Sequence, residues 1–260
     1  MNYSEELLKQ INDGFESFSQ DYSKIVEKLL FIEHKIKNKI AREYLMHGIK
    51  RRVDILEQCI FSIFELFPPD TEKLIGIHNI TKVNVNLHAF LINIYGIIEN
   101  LALFIAYELN LFDQSIPEIK QRKKVGLFRK DFQKLLPKTL QDYFLNNLEI
   151  NKWYDEYAKS YRDALAHRIP PFVPPMQLNP EEAEIRKKLD KEIEKFEVND
   201  FNYDELREKV HKSWTIGSPA KYFFHSISEK SRLVVLHGQI LNDFITVKEM
   251  IYFVLDSIYP

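Results

Sequence analysis

The stretch "FLINIYGIIENLALFIA", residues 90–106, decides how the chain folds. It lies within a longer run, from about Val83 to Leu109, in which apolar residues occupy nearly every face of a helix: Val85, Leu87, Leu91, Ile94, Ile98, Leu101 and Ile105. A helix without a clear polar stripe sits at the centre of a bundle. As a membrane span the stretch is slightly short, and it carries Glu99 near its middle with Asn93 and Asn100 on either side. A carboxylate at mid-bilayer is costly, so the stretch reads as a buried helix of a cytoplasmic protein with no membrane partner.

Composition agrees. The chain has 260 residues, 45% of them hydrophobic, and only 7 glycines, a balance that favours helices over a turn-rich β architecture. A net charge of −2 announces neither nucleic acid nor membrane. Cys59 is the sole cysteine, which excludes an internal disulfide and a tetrahedral cysteine zinc site. Its neighbours Ile55, Leu56, Ile60 and Phe61 mark it as a small core residue. The opening "MNYSEELLKQ" has no apolar signal core.

Upstream of the central stretch, residues 1–66 repeat apolar residues at helical spacing, with a possible break at Gly14 or near Gln20. The segment ending "SIFELF" stops at Pro68 and Pro69, and residues 70–82 read as a connector. Residues 1–80 therefore form an N-terminal helical region ahead of a domain over 81–260. Downstream, "KQRKKVGLFRKDFQKLLPK" is basic, and Pro137 separates two short helices. Lys123, Lys124, Arg129 and Lys130 are candidates to grip an RNA backbone, with a solvated helix face as the plainer alternative. Phe128 and Phe132 among them read as core. His78 and His88 suggest no metal site, and the short basic "HGIKRR" from His47 reads as surface.

A helix from about Ile150 ends in "SYRDALAHRIPPF", residues 160–172. Pro170 forces Ile169 out of the helical region, which puts His167 in the last turn. The proline-rich and charged residues of about 170–215 read as an insertion: an extended linker, then an exposed helix. "AKYFFHSI" and "SRLVVLHGQI" form a small β-hairpin, followed by a final amphipathic helix with Asn242 or Asp243 as its cap.

Arginine, four residues, histidine occurs three times: Arg42–His47, Arg162–His167 and Arg232–His237. Spacing alone does not discriminate among them. Arg232 and His237 fall on opposite faces of a strand. Arg42 and His47 lie in a helix with no forced ending. Only Arg162–His167 combines a helix end, an aromatic face and a proline break. On a helix Arg162 and His167 differ in direction by roughly 140°. Asp163 and His167 share a face, so Asp163 is placed to orient the imidazole. Arg162 suits a phosphate. Glu99 either pairs with a cation such as Arg162 or faces solvent at a helix edge.

"YRDALAH", residues 161–167, with the helical "NIYGIIENLALFIAYEL" before it, resembles the HEPN superfamily, the higher eukaryotes and prokaryotes nucleotide-binding domains. The resemblance covers about residues 83–260 and leaves the first 80 unexplained. It implies a mainly α HEPN-like helical bundle, here with an N-terminal helical extension and a small β-hairpin before the C-terminal helix. It further implies a homodimer whose two motifs face one cleft. Many such domains are endoribonucleases of toxin–antitoxin, abortive-infection and CRISPR-associated systems that need no metal or other cofactor. RNA is then the substrate, and an antitoxin or defence-system protein a possible partner. Arg162 matches the family's arginine, Asp163 its polar second position and His167 its histidine. Ile169 stands where one toxin group has a modifiable tyrosine, so that form of control is not expected. A catalytically silent HEPN scaffold and a helical interaction protein are the competing readings.

Overall fold

The structure, a computed structural model, describes residues 3–113, 115–196, 202–229 and 231–260. Helix α1 (Glu5–Glu33) starts where the Ser4 hydroxyl accepts the Leu7 N–H, with Glu5 and Glu6 in its first turn against the helix dipole. The expected break at Gly14 is absent. Gly14 lies against the last helix, and a Cβ there would come within 3.3 Å of Leu241 Cδ1. Asn38 then caps α2 (Lys39–Glu43), which passes through a π-helical segment, Tyr44–Lys50, into α3 (Arg51–Leu66).

Helix α4 (Ile77–Glu108) is the central rod, starting earlier than Val83. Nothing in 77–82 stops a helix, and Ile80 is already buried, so the connector ends at Gly76. Helices α2, α3 and the π-helical segment all pack on α4. Its most apolar window is long enough to cross a membrane, but 67% of that window is buried within the protein, as for a core helix.

Short helices follow: α5 (Glu118–Arg122), α6 (Lys130–Gln133) and α7 (Lys138–Asn146), the last starting at Pro137 as expected. Next, α8 (Leu148–Trp153), a second π-helical segment (Tyr154–Lys159) and α9 (Ser160–His167) run on as one rod, which packs on α4. The charged region forms α10 (Pro180–Ile193), held by an Asn179–Glu182 capping box, and α11 (Tyr203–Trp214). These two pack on each other. The excursion leaves and returns along antiparallel bridges, Phe172 with Phe224 and Gln177 with Ser218.

Strands β1 (Tyr222–Phe223) and β2 (Val234–Val235) form the expected hairpin, and α12 (Leu236–Ile258) closes the chain. The fold is a mainly helical bundle. Helix α12 packs along α1, so the first 80 residues share one continuous core with the C-terminus. Phe18 meets Phe244 at 4.7 Å and Phe15 stacks on Phe64 at 4.0 Å.

Two expectations at the C-terminal helix are corrected. Asn242 and Asp243 are not its cap, because α12 already begins at Leu236. Asp243 is instead buried, where it accepts hydrogen bonds from Trp153 Nε1 at 2.7 Å and Gln239 Nε2 at 2.6 Å. Arg232 and His237 do not share a strand: β2 ends at Val235 and His237 is sealed in the first turn of α12. Arg232, on the outside, pairs with Glu156 at 2.6 Å.

Asp243 bolts α8 to α12 and generates a prediction. Burial raises its carboxyl to about 6 against the pull of Trp153 and Gln239. A carboxyl that binds its proton more tightly when folded stabilises below its unfolded value near 3.8, and that contribution is lost as pH rises through about 6. Asp243→Asn removes the titration. The unfolding free energy of Asp243→Asn relative to the natural protein should therefore climb between pH 4 and 7, by at most about 3 kcal/mol. Urea titrations across that range check it; a pH-independent difference contradicts the assignment.

Candidate functional site

The Asn147 side chain accepts the Ile150 N–H at 3.1 Å and starts the rod that carries the motif. Trp153, tied to Asp243, and the buried Tyr161 and Ala164 fix its rotation. Tyr154 packs face to face with Phe128, ring centroids 3.9 Å apart, which docks the basic 118–136 region onto this rod. Phe128 and Phe132 are thus packing residues, as expected.

Arg162 lies against α4. Its guanidinium carbon sits 4.1 Å from the Tyr95 ring centroid and Nη2 donates to the Tyr95 hydroxyl at 2.7 Å. Nη1 is 3.2 Å from Asp163 Oδ1. Nε is buried without an acceptor among the described residues. Burial works against the guanidinium's charge, but the Tyr95 hydroxyl, Asp163 and Glu99 outweigh it, so Arg162 holds its proton more tightly than usual.

His167 ends α9 and is exposed. Arg168 has extended backbone, φ −137° and ψ −151°, so the helix stops where the proline was expected to stop it. The expected Asp163–His167 contact is not made: Asp163 turns to the adjacent Arg162, and among the described residues no hydrogen bond or ion pair reaches the His167 side chain. Glu99 is exposed and makes no ion pair among the described residues, although its charge is felt at Arg162. Glu99 therefore sits at the solvent edge of α4.

Histidine and asparagine on α4 hold the chain beyond the motif. Asn84 Oδ1 accepts the Val173 N–H at 2.7 Å, its Nδ2 donates to the Val173 carbonyl at 3.2 Å, and His88 Nε2 meets the Pro171 carbonyl at 2.5 Å. Segment 162–173 thus runs antiparallel to α4 from Tyr95 to Asn84. The proline segment is tied down along α4 and leaves His167 uncovered. Asn84 and His88 gave no signal in the sequence because their role depends on which segment lies across them.

Lys123, Lys124, Arg129 and Lys130 are all exposed. Arg129 Nη1 donates to the Lys123 carbonyl at 2.6 Å and so also closes its own loop. Lys123 and Glu99 line one groove of about 390 Å³ together with Asn100 and Arg122. Lys124 lines a different, smaller cleft. Lys123 and Lys124 thus line different clefts, and Arg162 lines neither of them. Among the described residues no three His, Cys, Asp or Glu side chains gather as ligands for a metal ion.

No family model, no curated protein and no solved structure matches this chain.

The Tyr95 hydroxyl is a charge-assisted partner for Arg162. Tyr95→Phe keeps the ring and removes that acceptor, so it should lower stability by about 1.5 kcal/mol, and Tyr95→Leu by more. Denaturant midpoints of the two variants test this; Tyr95→Phe within error of the natural protein would show that the hydroxyl contact is immaterial.

Proposed function

We propose that the protein is a metal-independent endoribonuclease of the HEPN type, a cytoplasmic defence or toxin effector acting as a homodimer. The observation that carries this reading is the division of roles within one helical turn and a half. Arg162 is half-buried and held on Tyr95, while His167 stands exposed at the helix end with no protein partner among the described residues.

Cleavage by the adjacent 2′-hydroxyl needs a base at the 2′-oxygen, an acid at the leaving 5′-oxygen and positive charge on the phosphate. One imidazole cannot stand at both oxygens. In a cleft shared by two copies, one His167 takes the 2′-hydroxyl proton as the 2′-oxygen bonds to phosphorus. The P–O5′ bond breaks and the other His167, protonated, delivers its proton to the 5′-oxygen. The products are a 2′,3′-cyclic phosphate and a 5′-hydroxyl. Arg162 of each copy neutralises the phosphate, with Tyr95 fixing its plane and Asp163 its near edge. Asp163 is a positioning residue here, acting through the arginine rather than the histidine. Lys123, which lines a groove with Glu99, would meet a flanking phosphate, and Lys124, Arg129 and Lys130 would supply diffuse attraction. An antitoxin or other defence protein would act by covering the His167 end.

One observation favours the silent scaffold instead: Arg162 is already engaged by a ring, a hydroxyl and a carboxylate. The two readings separate in one experiment. Purified protein is incubated with mixed RNA in excess chelator, beside His167→Ala, and fragment ends are characterised. We expect chelator-resistant cleavage to cyclic phosphate ends, abolished in His167→Ala with stability within about 0.5 kcal/mol, because the side chain is exposed. Equal cleavage by His167→Ala rejects the assignment, and intact RNA that is nevertheless bound moves the protein to the scaffold reading.

A further inference from the structure

We infer that the cleft between the π-helical segment Tyr44–Lys50 and α4 is a binding site for a small phosphate-bearing ligand. It is separate from the Arg162–His167 motif, and neither residue lines it. The cleft has a volume of about 760 Å³, in the size range of small-molecule sites.

Its lining is cationic and built. Arg51, Arg52 and Arg122 line it together with His47, Glu43 and Glu118. Among the described residues, none of the three arginines forms an ion pair. Guanidinium groups gathered in one concavity without carboxylate partners repel one another and favour a bound anion.

Arg52 is the seat. Its Nη1 donates to Asn93 Oδ1 at 2.7 Å, and Asn93 is itself buried and fixed through Nδ2 to the Ala89 carbonyl at 2.7 Å. The guanidinium lies on α4 where Gly96 leaves room: a Cβ at Gly96 would come within 2.4 Å of Arg52 Cζ. Gly48 makes the matching allowance on the other wall, where a Cβ would fall 2.8 Å from Asn100 Nδ2. Two glycines thus admit a guanidinium and an amide that any other residue would displace. The remaining N–H groups of Arg52 have no protein acceptor among the described residues, and a planar fork of this kind matches phosphate oxygens.

The π-helical segment fits the same purpose, since such local widening recurs at functional sites. It puts Tyr44 against Tyr107 at 5.6 Å, and the Tyr44 hydroxyl accepts from Arg122 while Tyr107 donates to Glu118. The aromatic pair thereby fixes both a cation and a carboxylate at the cleft. The two carboxylates in the lining oppose a continuous polyanion and suit a compact one.

Isothermal titration of the full chain at low salt with pyrophosphate as the probe tests this. We expect saturable binding, weakened by about tenfold or more in Arg52→Gln and in Arg122→Gln. Arg122 is exposed, so Arg122→Gln keeps the test valid if Arg52→Gln loses its helical circular dichroism. No saturable heat at millimolar pyrophosphate overturns the inference, as does binding that survives both arginine substitutions. A single-stranded oligonucleotide that displaces pyrophosphate in the natural protein but not in Arg122→Gln would assign the cleft to a nucleic-acid chain and equally overturn it.

Discussion

An apolar helix can be buried on most sides only if each polar group it carries meets a partner or reaches water, and α4 satisfies that constraint residue by residue. An amide left unmatched in a core costs about 1–3 kcal/mol. Asn93 answers with Arg52 and its own helix, Asn84 with the backbone of Val173, His88 with the Pro171 carbonyl, and Tyr95 with Arg162. The partners come from α3, α9 and the chain after it. Satisfying α4 therefore fixes where these elements lie, and with them both arginine sites.

The polar residues fall into two stripes. Asn84, His88, Tyr95 and Glu99 recur at spacings of four and seven and serve α9 and its tail. Asn93, Gly96 and Asn100 recur at three and four and serve α3 and the π-helical segment. Hydrophobicity summed around the helix hides both, because each is diluted by Ile, Leu and Phe. The central helix, the final helix, the hairpin and the stop at Pro170 were legible, since each follows from periodicity or from proline. The π-helical segments were not, because no glycine or proline marks the widening of 154–159 and tertiary packing sets it. Glycine at 48 and 96 was visible but mute: its meaning lies in Arg52 and Asn100, distant in sequence. At the motif, counting residues gave the right separation of Arg162 and His167. It misplaced Asp163, because a neighbour along the chain reached the carboxylate before the residue one turn on.

Two buried titratable groups on α12 pull stability in opposite directions with pH. His237 is lowered to about 4 by burial, against the Phe67 carbonyl and with help from Lys221. Its Nε2 meets the Phe67 carbonyl at 2.6 Å and its Nδ1 lies 3.1 Å from the Tyr3 hydroxyl. A base depressed on folding contributes stability that is present above its unfolded value near 6.5 and is lost as pH falls toward 4. Asp243 behaves in the reverse sense over an overlapping window. Acid therefore loosens the contact of α12 with Tyr3 and Phe67 while it relieves the contact with Trp153.

Under the proposed function, the exposed end of α9 is where a second copy would have to meet the first. Residues 166–170 are all exposed, Ile169 by 48%, only two positions on from the buried Ala164. His167, Arg168 and Ile169 are therefore all open to solvent, Arg168 pairing with Glu229, while Asn84 and His88 hold the chain after Pro170 on α4. A charged rim around one apolar residue is a small contact, below what a stable interface needs on its own. In the proposed dimer this end would have to recruit neighbouring surface, and the groove lined by Glu99 and Lys123 is polar ground close to Arg162. In that proposed arrangement Lys123, which lines the groove, is the basic-region cation that a passing phosphate chain would meet.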